Sequence, residues 1–584
     1  MPARPILPVL VAVLASTCAS PRDEAASPLR RIAEHVDLHW DLDVSRDGRH
    51  IGVANGAGEP GLFVVDLGPD GRTPVVDRLD VPDPMPQRPR LSPSGRFIVY
   101  HSFGDVHAQH VLYMFDRATR VRTILVDHDG RDSYVDDATW SPDEREVAFT
   151  RIWSDDDGWH TTLHIIRASD RNERLVSRGP VRGPAWSPDG QQLAYLNGPN
   201  LVLVGAAGGE PTLVRRFDEA NPVPSIDRPS PPVWSPDGRR IAYAIEDREC
   251  PRIQVITTAS GQVEHPIAEC AMEPLWIDDG RLGYLTVGSS KRLLRVTGPG
   301  APAVGFEDGI LNAIRRSATG DIIALGMPAD QPRGLWRFSL AAPRDAVPLL
   351  GSLDLPFPVA SVSRAQSTTV TSRDGLQVPV QGFPAMCGPE RHPGILWIHG
   401  GPHEDIAPHW YQEIQYATTL GAVVVAVNYR GSTGNGRRYR ERDGDLRGQL
   451  DDVTAALAYL RARPDVDPDR VLVFDVSWGA TLAYPLAARD GHLVGIVDWV
   501  GAPSWWRDPA LRATSYPPML WISGTLDPII ADRRYVATRL QRAGAELRHV
   551  ELATDHAFSS RAARVQALDA FGEFLTSAGV RCTR

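Results

Sequence analysis

The sequence predicts two domains of different class: an all-β domain built as a seven-bladed β-propeller, then a doubly wound α/β domain with a mostly parallel sheet. Three observations predict this arrangement. The chain has 584 residues, too many for a single hydrophobic core. A strand motif repeats along the first part of the chain, and after residue 355 short apolar strands alternate with helical patterns.

The repeat is a turn rich in Ser, Pro, Asp and Gly followed by an alternating strand, as in WSPDGQQLAYL at residue 186. Its copies begin at residues 44, 91, 140, 186, 234, 276 and 316. A period of roughly 45 residues with about four strands is typical of a propeller blade, so we predict a propeller over residues 36–352. A β-sandwich is the alternative, but it would not repeat a motif in every unit. The recurring aspartates are interpreted as bonding the turn backbone, not a ligand.

The α/β domain is predicted over residues 356–584. Its strands, such as GILWI and VLVFDV, are apolar on both faces, and helical patterns such as DDVTAALAYLRAR separate several of them. A sheet of this kind is covered by helices on both sides, and its functional site lies at the carboxyl ends of the strands.

Three polar residues follow the ends of predicted strands: Ser477, Asp527 and His556. Serine is a weak nucleophile until an imidazole accepts its proton, and a carboxylate must orient that imidazole and stabilise its charged form. Each residue alone also fits a structural role, such as a helix cap. Together, in the chain order of α/β-hydrolases, they predict a catalytic triad in an α/β-hydrolase domain.

An oxyanion hole is predicted beside this triad. The motif HGGPH at residues 399–403 follows a strand, and its glycines allow the backbone to approach a substrate closely. Backbone N–H groups from this turn and from Trp478, directly after the serine, would then stabilise a developing negative charge.

A propeller preceding an α/β-hydrolase domain, with HGGPH, NYRGSTGNG, SWG and GTLD in this order, resembles the prolyl oligopeptidase family of serine peptidases. HGGPH and NYRGSTG are most similar to its acylaminoacyl-peptidase and dipeptidyl-peptidase-like bacterial branch. The resemblance implies Ser477, Asp527 and His556 as the triad, with Gly401 and Trp478 as oxyanion donors. It also implies hydrolysis of short peptides, because the propeller of the family covers the active site.

The chain departs from the family pattern in several places. Asp475 and Ala480 stand where the nucleophile turn of the family has glycine, and a charge at Asp475 could either stabilise the imidazolium or draw it away from the serine. The connection over residues 502–517 is short, which indicates an altered substrate pocket. His403, Trp505 and Trp506 are candidate pocket residues, although the two tryptophans could equally pack the shortened connection onto the sheet.

Five cysteines fit an exported protein if Cys18 is set aside. Cys250 and Cys270 are placed symmetrically about a predicted hairpin turn, so they would face each other, which leaves Cys387 and Cys582 as the second pair. The alternative is that all four are reduced and unpaired. Their spacing does not suggest a metal site.

Residues 1–20 predict an export signal, with Arg4 ahead of an apolar stretch that is too short to span a bilayer. The residues before Cys18 resemble a lipoprotein signal, which predicts lipidation of that cysteine; ordinary cleavage and a soluble product are the alternative. Localisation would be periplasmic, lipid-anchored or secreted. With 72 acidic against 62 basic residues and no basic run, nucleic acid is not expected as a partner.

The function expected from the sequence is that of an exported serine peptidase acting on short or N-blocked peptides through an acyl-enzyme at Ser477, without a metal or organic cofactor. Two alternatives remain: a catalytically impaired propeller-hydrolase that acts as a binding protein, and a carboxylesterase that uses the same residues. The sequence does not predict the oligomeric state.

Overall fold

A computed structural model describes residues 36–582, except for 59–60, 69–72, 83–85, 104–109, 128–132, 156–157, 199, 218–230, 247–249, 288–291, 302, 352–361, 389, 502–515, 528–532, 543, 557 and 559. Three of the residues singled out in the sequence lie outside the described residues: Cys18, Trp505 and Trp506. The predicted export signal and most of the shortened connection lie there too.

The first domain is a ring of seven antiparallel sheets, which confirms the predicted seven-bladed propeller. Blade 1 contains β1 (Val36–Val44), β2 (His50–Gly58), β3 (Gly61–Leu67) and β4 (Pro74–Leu79). Blade 2 contains β5 (Gln87–Leu91), β6 (Phe97–Phe103), β7 (His110–Asp116) and β8 (Val121–Val126). Blade 3 contains β9 (Ser133–Trp140), β10 (Glu146–Asp155), β11 (Gly158–Arg167) and β12 (Glu173–Arg178). Blade 4 contains β13 (Val181–Trp186), β14 (Gln192–Asn197), β15 (Asn200–Gly205) and β16 (Thr212–Arg216).

The remaining three blades complete the ring. Blade 5 contains β17 (Val233–Trp234), β18 (Arg240–Glu246), β19 (Pro251–Thr257) and β20 (Val263–Glu264). Blade 6 has three described strands, β21 (Ala271–Trp276), β22 (Leu282–Thr286) and β23 (Leu294–Val296). Blade 7 contains β24 (Gly309–Arg316), β25 (Ile322–Pro328), β26 (Gly334–Phe338) and β27 (Val347–Gly351). Within every blade the strands pair in chain order, so each blade is one continuous stretch of chain.

The propeller core lies between neighbouring blades. Alternation along each strand gives a blade two apolar faces, and each face packs against the next blade. The last interface joins blade 7 to blade 1, where Leu42 and Ile51 pack with Ile323 and Leu325. In the repeated turns, the serine hydroxyl and a nearby backbone N–H both donate to the aspartate, as at Asp189, so these aspartates bond the turn backbone.

The second domain is an α/β-hydrolase domain with one eight-stranded sheet, as the sequence predicts. Its strands are β28 (Gln366–Thr371), β29 (Gln377–Phe383), β30 (His392–Ile398), β31 (Val423–Val427), β32 (Val466–Val476), β33 (Gly495–Trp499), β34 (Met519–Gly524) and β35 (Leu547–Leu552). Their order is β28, β29, β31, β30, β32, β33, β34, β35, and the sheet is parallel from β31 onward. The carboxyl ends of β30, β32 and β34 therefore meet at one edge.

Helices cover this sheet. They are α1 (Gln412–Leu420), α2 (Arg437–Arg440), α3 (Leu446–Ala462), α4 (Ala480–Asp490), α5 (Arg533–Arg542) and α6 (Arg561–Ser577). The central strands are buried on both faces and form one apolar core with the inner faces of the helices. None of the described helices is both long and apolar enough to cross a membrane.

Two disulfides are present. Cys250 is bonded to Cys270 around the hairpin of β19 and β20, with their Cα atoms 5.6 Å apart. Cys387 is bonded to Cys582, which joins the segment after β29 to the segment after α6. The four cysteines therefore have the pairs expected from their positions, and in this structure none of them is a free thiol.

Candidate active site

The nucleophile turn connects β32 to α4. Ser477 has φ of 50°, a left-handed conformation that a non-glycine residue adopts only when its surroundings impose it. A 3₁₀ turn over Ser477–Gly479 follows and leads directly into α4. Gly479 must be glycine here, because a Cβ atom would overlap the carbonyl oxygen of Ile398 on β30. This packing presents Ser477 at the carboxyl edge of the sheet.

Ser477, His556 and Asp527 form a continuous hydrogen-bonded line. The Nε2 atom of His556 is 2.9 Å from Ser477 Oγ, and its Nδ1 atom is 2.7 Å from Asp527 Oδ2. The Asp527 side chain is fully buried, whereas that of His556 is 24% exposed. Nδ1 donates to the buried carboxylate, which leaves Nε2 as the acceptor facing the serine hydroxyl. The three residues therefore have the distances that proton transfer from serine to imidazole requires.

The HGGPH turn lies beside this line. A Cβ atom added to Gly400 would be 3.3 Å from Ser477 Cβ, so only a residue without a side chain leaves room there for a reacting carbonyl group. Gly401 is the next residue and is exposed. Trp478 directly follows the serine in the 3₁₀ turn. The donor roles of the Gly401 and Trp478 N–H groups stay a prediction.

Buried polar contacts hold the turn in place. His399 Nδ1 donates to the Gly400 carbonyl at 2.7 Å, and the Tyr429 hydroxyl donates to the His399 carbonyl at 3.0 Å. Burial lowers the pKa of His399 below its usual range, so its ring remains neutral. Tyr429 belongs to the NYRGSTGNG motif. This motif contributes to the family resemblance, but the sequence alone does not indicate its role. The structure shows that one task of the motif is to support the HGGPH turn.

Asp475 points away from the triad. Its side chain is fully buried, and its neighbour across the sheet is Asp498 on β33. Burial raises the pKa of Asp475 well above its ordinary value, and the charge of Asp498 raises it further. The carboxyl group therefore stays neutral to a higher pH than an exposed aspartate does. Of the two effects that the sequence left open, a stabilised or a displaced imidazolium, the structure supports neither.

Asp498 has the partners that Asp475 lacks. The Tyr484 hydroxyl and the Gly501 N–H, the latter at 2.6 Å, both donate to the Asp498 carboxyl group. Burial raises the pKa of Asp498 to about 7, although these two hydrogen bonds oppose the rise. Neither oxygen of Asp475 has a hydrogen-bond partner among the described residues. The hydrogen bonds therefore favour the charged form of Asp498 over that of Asp475.

The candidate pocket residue His403 does not reach the triad line. Its Nε2 atom is 3.1 Å from Asp443 Oδ2, and both side chains are partly exposed. Sequence analysis missed the next two residues, Glu404 and Asp405. A Cβ atom at Gly400 would be 3.8 Å from the Glu404 carboxylate, which places that charge beside the nucleophile. Their position directly after HGGPH was the available signal. Grouped metal ligands of the His, Cys, Asp or Glu type are absent from the described part of the chain.

Residues 408–497 match the family model described as the prolyl oligopeptidase family. The chain is 25% identical over 254 residues to the uncharacterized peptidase YuxL of Bacillus subtilis, covering 41% of this chain and 37% of that protein. It is 25% identical over 177 residues to the dipeptidyl-peptidase 5 of Porphyromonas gingivalis, covering 24% of this chain and 26% of that protein. The chain thus spans less than two fifths of the length of these curated relatives.

Similarity to solved structures extends over nearly the whole chain. The puromycin-hydrolyzing peptidase of Mycobacterium tuberculosis superimposes with a TM-score of 0.76 at 19% identity, covering 96% of this chain and 97% of that one. The acylaminoacyl peptidase of Pyrococcus horikoshii gives 0.68 at 14% identity, with 95% and 98% covered. At these identities the similarity establishes the fold.

A propeller joined to an α/β-hydrolase domain, with serine, imidazole and carboxylate in one hydrogen-bonded line, defines the class of serine hydrolases. The matched segment contains the NYRGSTGNG motif, which supports the HGGPH turn, and it also contains the nucleophile turn. Residues 408–497 therefore carry a domain of the prolyl oligopeptidase family. This confirms the family resemblance that the motifs indicated.

Proposed function

We propose that this protein hydrolyses short or N-blocked peptides through an acyl-enzyme at Ser477. The observation that carries the proposal is the position of His556 between Ser477 Oγ and Asp527 Oδ2, at 2.9 Å and 2.7 Å. The names of structurally similar proteins, an acylaminoacyl peptidase and a puromycin-hydrolyzing peptidase, favour small acylated or aminoacyl substrates.

In the proposed reaction, Ser477 Oγ attacks the carbonyl carbon of the scissile bond while His556 Nε2 accepts the hydroxyl proton. Asp527 stabilises the imidazolium, and the N–H groups of Gly401 and Trp478 donate to the oxyanion. The tetrahedral intermediate then collapses: the C–N bond breaks, and His556 returns its proton to the leaving amine. Water then attacks the acyl carbon while His556 accepts its proton; the bond to Ser477 Oγ breaks, and His556 returns the proton to Oγ, which releases the acid product.

The Ser477→Ala variant tests this role. We expect its kcat to fall by on the order of 10⁶-fold, because the nucleophile acts as a unit with the imidazole. A fluorophosphonate probe should modify the wild-type protein at Ser477, as mapped by mass spectrometry, and should not modify the variant. The Ser577→Ala variant, altered at the end of α6, is the matched control and should retain both activity and labelling. A wild-type protein that neither reacts with the probe nor hydrolyses peptides or esters would sink the proposal.

That last outcome would favour the binding-protein alternative. Carboxylesterase activity uses the same residues and differs only in the substrate pocket, so the comparison of a peptide amide with the matching ester distinguishes the two. We propose the peptidase because the curated relatives and the structurally similar proteins carry peptidase names.

We also propose that the propeller restricts access to the site and that the protein is exported. The contact of Ile310 and Met327 with Ala407, just beyond the HGGPH turn, supports the first part, because it brings the propeller beside the active site. The two disulfides and the sequence of residues 1–20 support the second. Hydrolysis of a folded protein as fast as a short peptide would contradict restricted access. Recovery of the protein with an intact residue 1–20 segment in the cytoplasmic fraction would contradict export.

A further inference from the structure

The loop that carries the oxyanion donor, residues 399–407, is here called the oxyanion loop. On its hydrolase side it is held by neighbouring backbone and side chains. The Thr433 N–H donates to the Glu404 carbonyl at 3.0 Å, and the Ile406 N–H donates to Asn428 Oδ1 at 2.7 Å. These contacts fix the far half of the loop to the segment that follows β31.

The propeller holds the same loop from the other side. Arg292, shortly before β23, donates from Nη2 to both carboxylate oxygens of Asp405 at 3.2 Å. The two side chains are only 12% and 10% exposed, so solvent screens this pair weakly. The apolar contact of Ile310 and Met327 with Ala407 adjoins it. The propeller therefore contacts the oxyanion loop through one buried ion pair and one adjoining apolar contact.

Arg292 is itself fixed by the propeller backbone. Its carbonyl accepts a hydrogen bond from the Leu311 N–H at 3.0 Å, which ties the segment before β23 to the first strand of blade 7. The Arg292 guanidinium group therefore extends from a backbone segment that a hydrogen bond joins to the next blade. A long side chain held in this way loses less conformational freedom when it pairs with Asp405 than a free surface arginine would.

Asp405 transmits this contact into the oxyanion loop. Its Oδ1 atom also accepts from the Thr433 hydroxyl at 3.0 Å, so one carboxylate connects the propeller, the loop and the segment after β31. Burial alone would raise the pKa of Asp405, but the Arg292 charge and the Thr433 hydrogen bond lower it below its ordinary value. Asp405 is thus charged at neutral pH, and Arg292 provides the compensating charge.

We propose that Arg292 is a positioning residue for catalysis: the propeller, through Asp405, fixes the loop that presents Gly401 to the oxyanion. The inference rests on the proposed function, because it assigns Gly401 the donor role given there. Oxyanion donors act only when they are held at hydrogen-bond distance from the charge that develops in the transition state. Loss of the ion pair at Asp405 therefore destabilises the transition state more than the bound substrate.

The propeller, in this view, is more than a cover. Through Arg292 and Asp405 it contacts the loop that carries the proposed oxyanion donor.

The Arg292→Met variant tests the inference, because methionine keeps much of the side-chain volume and removes the charge. We expect kcat for a short peptide to fall about 10- to 100-fold with little change in KM. The affinity for a peptide boronic acid, whose tetrahedral oxygen uses the same donors, should fall by a similar factor. The Arg292→Lys variant should restore most of kcat, since both Asp405 oxygens are bonded from the same nitrogen and an ammonium group can replace it.

The matched control is Arg364→Met. Arg364 also forms an ion pair between the domains, with Asp308 at 2.6 Å, but it does not touch the oxyanion loop. Its kcat should stay within about twofold of the wild type. A fall of kcat by the same factor in both variants would show that the ion pairs only hold the domains together, and would overturn the inference. So would an unchanged kcat and boronate affinity in Arg292→Met. An inactive wild-type protein, in contrast, would overturn the proposed function itself, and the inference with it.

Discussion

Asp475 shows how the nucleophile turn tolerates a side chain where the family has glycine. The carboxyl group is directed into the sheet toward Asp498, so the turn keeps its shape and the His556 to Ser477 distance remains 2.9 Å. Asp475 instead lowers the stability of the fold, because its carboxyl group is buried without a hydrogen-bond partner among the described residues. Keeping it neutral is the less costly state, since ionisation would place two negative charges on adjacent strands.

The pH dependence of stability follows from the direction of this pKa shift. A carboxyl group whose pKa is raised by folding contributes stability that is fully present below its unfolded pKa, near 4, and is lost as the pH rises. We therefore expect the Asp475→Asn variant to gain stability relative to the wild type as the pH rises from about 4 to 8. Urea unfolding across this range measures the effect. Asp498 is the charged group that acts on Asp475, and the charge of Asp475 in turn raises the pKa of Tyr484.

The Asp490→Asn variant is the control of opposite sign. Hydrogen bonds from Arg461 to Asp490, at 2.6 Å and 2.7 Å, lower the pKa of that carboxyl group. Its contribution is present above the unfolded pKa and is lost as the pH falls, so this variant should lose stability relative to the wild type as the pH rises. Equal pH profiles for the two variants would contradict both assignments.

At the scale of the strand, the recurring tryptophan of the WSPDG repeat connects neighbouring blades. In blades 3 to 6 the indole N–H at the end of the first strand donates to a backbone carbonyl in the first strand of the preceding blade. The pairs are Trp140 to Arg90, Trp186 to Thr139, Trp234 to Ala185 and Trp276 to Val233, at 3.0 to 3.3 Å. The repeat therefore encodes both the turn within a blade and the joint between blades.

The Trp234→Phe variant tests this joint. Phenylalanine keeps an aromatic ring in the interface but leaves the Ala185 carbonyl without its indole partner, which should cost about 1 to 3 kcal/mol of propeller stability. The measurement is urea unfolding followed by circular dichroism. Trp153→Phe is the matched control: Trp153 is partly exposed and stacks on His160, a contact that a phenyl ring retains, so little change is expected. A loss as large at Trp153 would argue that ring volume, not the hydrogen bond, matters.

Elements with a period were predictable from the sequence, and contacts without one were not. The seven repeated turns predict the blades. The ends of the predicted strands indicate that Ser477, Asp527 and His556 lie at one edge of the sheet. The pair of Arg292 and Asp405 joins residues 113 positions apart, one in each domain, and no pattern in either segment indicates it. The direction of the Asp475 side chain depends on Asp498 across the sheet, which the local motif does not contain.

At the scale of the whole molecule, the two disulfides differ in how much chain they restrain. Cys250 and Cys270 are 20 positions apart and close one hairpin, whereas Cys387 and Cys582 are 195 positions apart and enclose nearly the whole catalytic domain. In the chain-entropy description, a larger closed loop removes more freedom from the unfolded state. The second disulfide should therefore contribute more to stability.

Paired Cys→Ser variants measure this difference. Loss of the Cys387 and Cys582 pair should cost up to about 5 kcal/mol in the unfolding of the catalytic domain, and loss of the Cys250 and Cys270 pair about 3 kcal/mol in that of the propeller. The wild-type protein with both disulfides oxidised is the reference, and reduction with a thiol should reproduce each loss. A larger loss for the hairpin pair would show that the disulfides act on the folded state and not through loop length.

The continuity of each blade has a consequence for how such a ring can change over generations. The described strands of every blade come from one uninterrupted segment, and the seam between the first and last blades is closed by packing and by the hydrogen bond from Ala318 N–H to the Gly48 carbonyl. Each blade is thus encoded by one continuous stretch of the gene. Duplication or deletion of a single unit leaves every other sheet whole, and the ring only has to close again at the seam between its first and last blades.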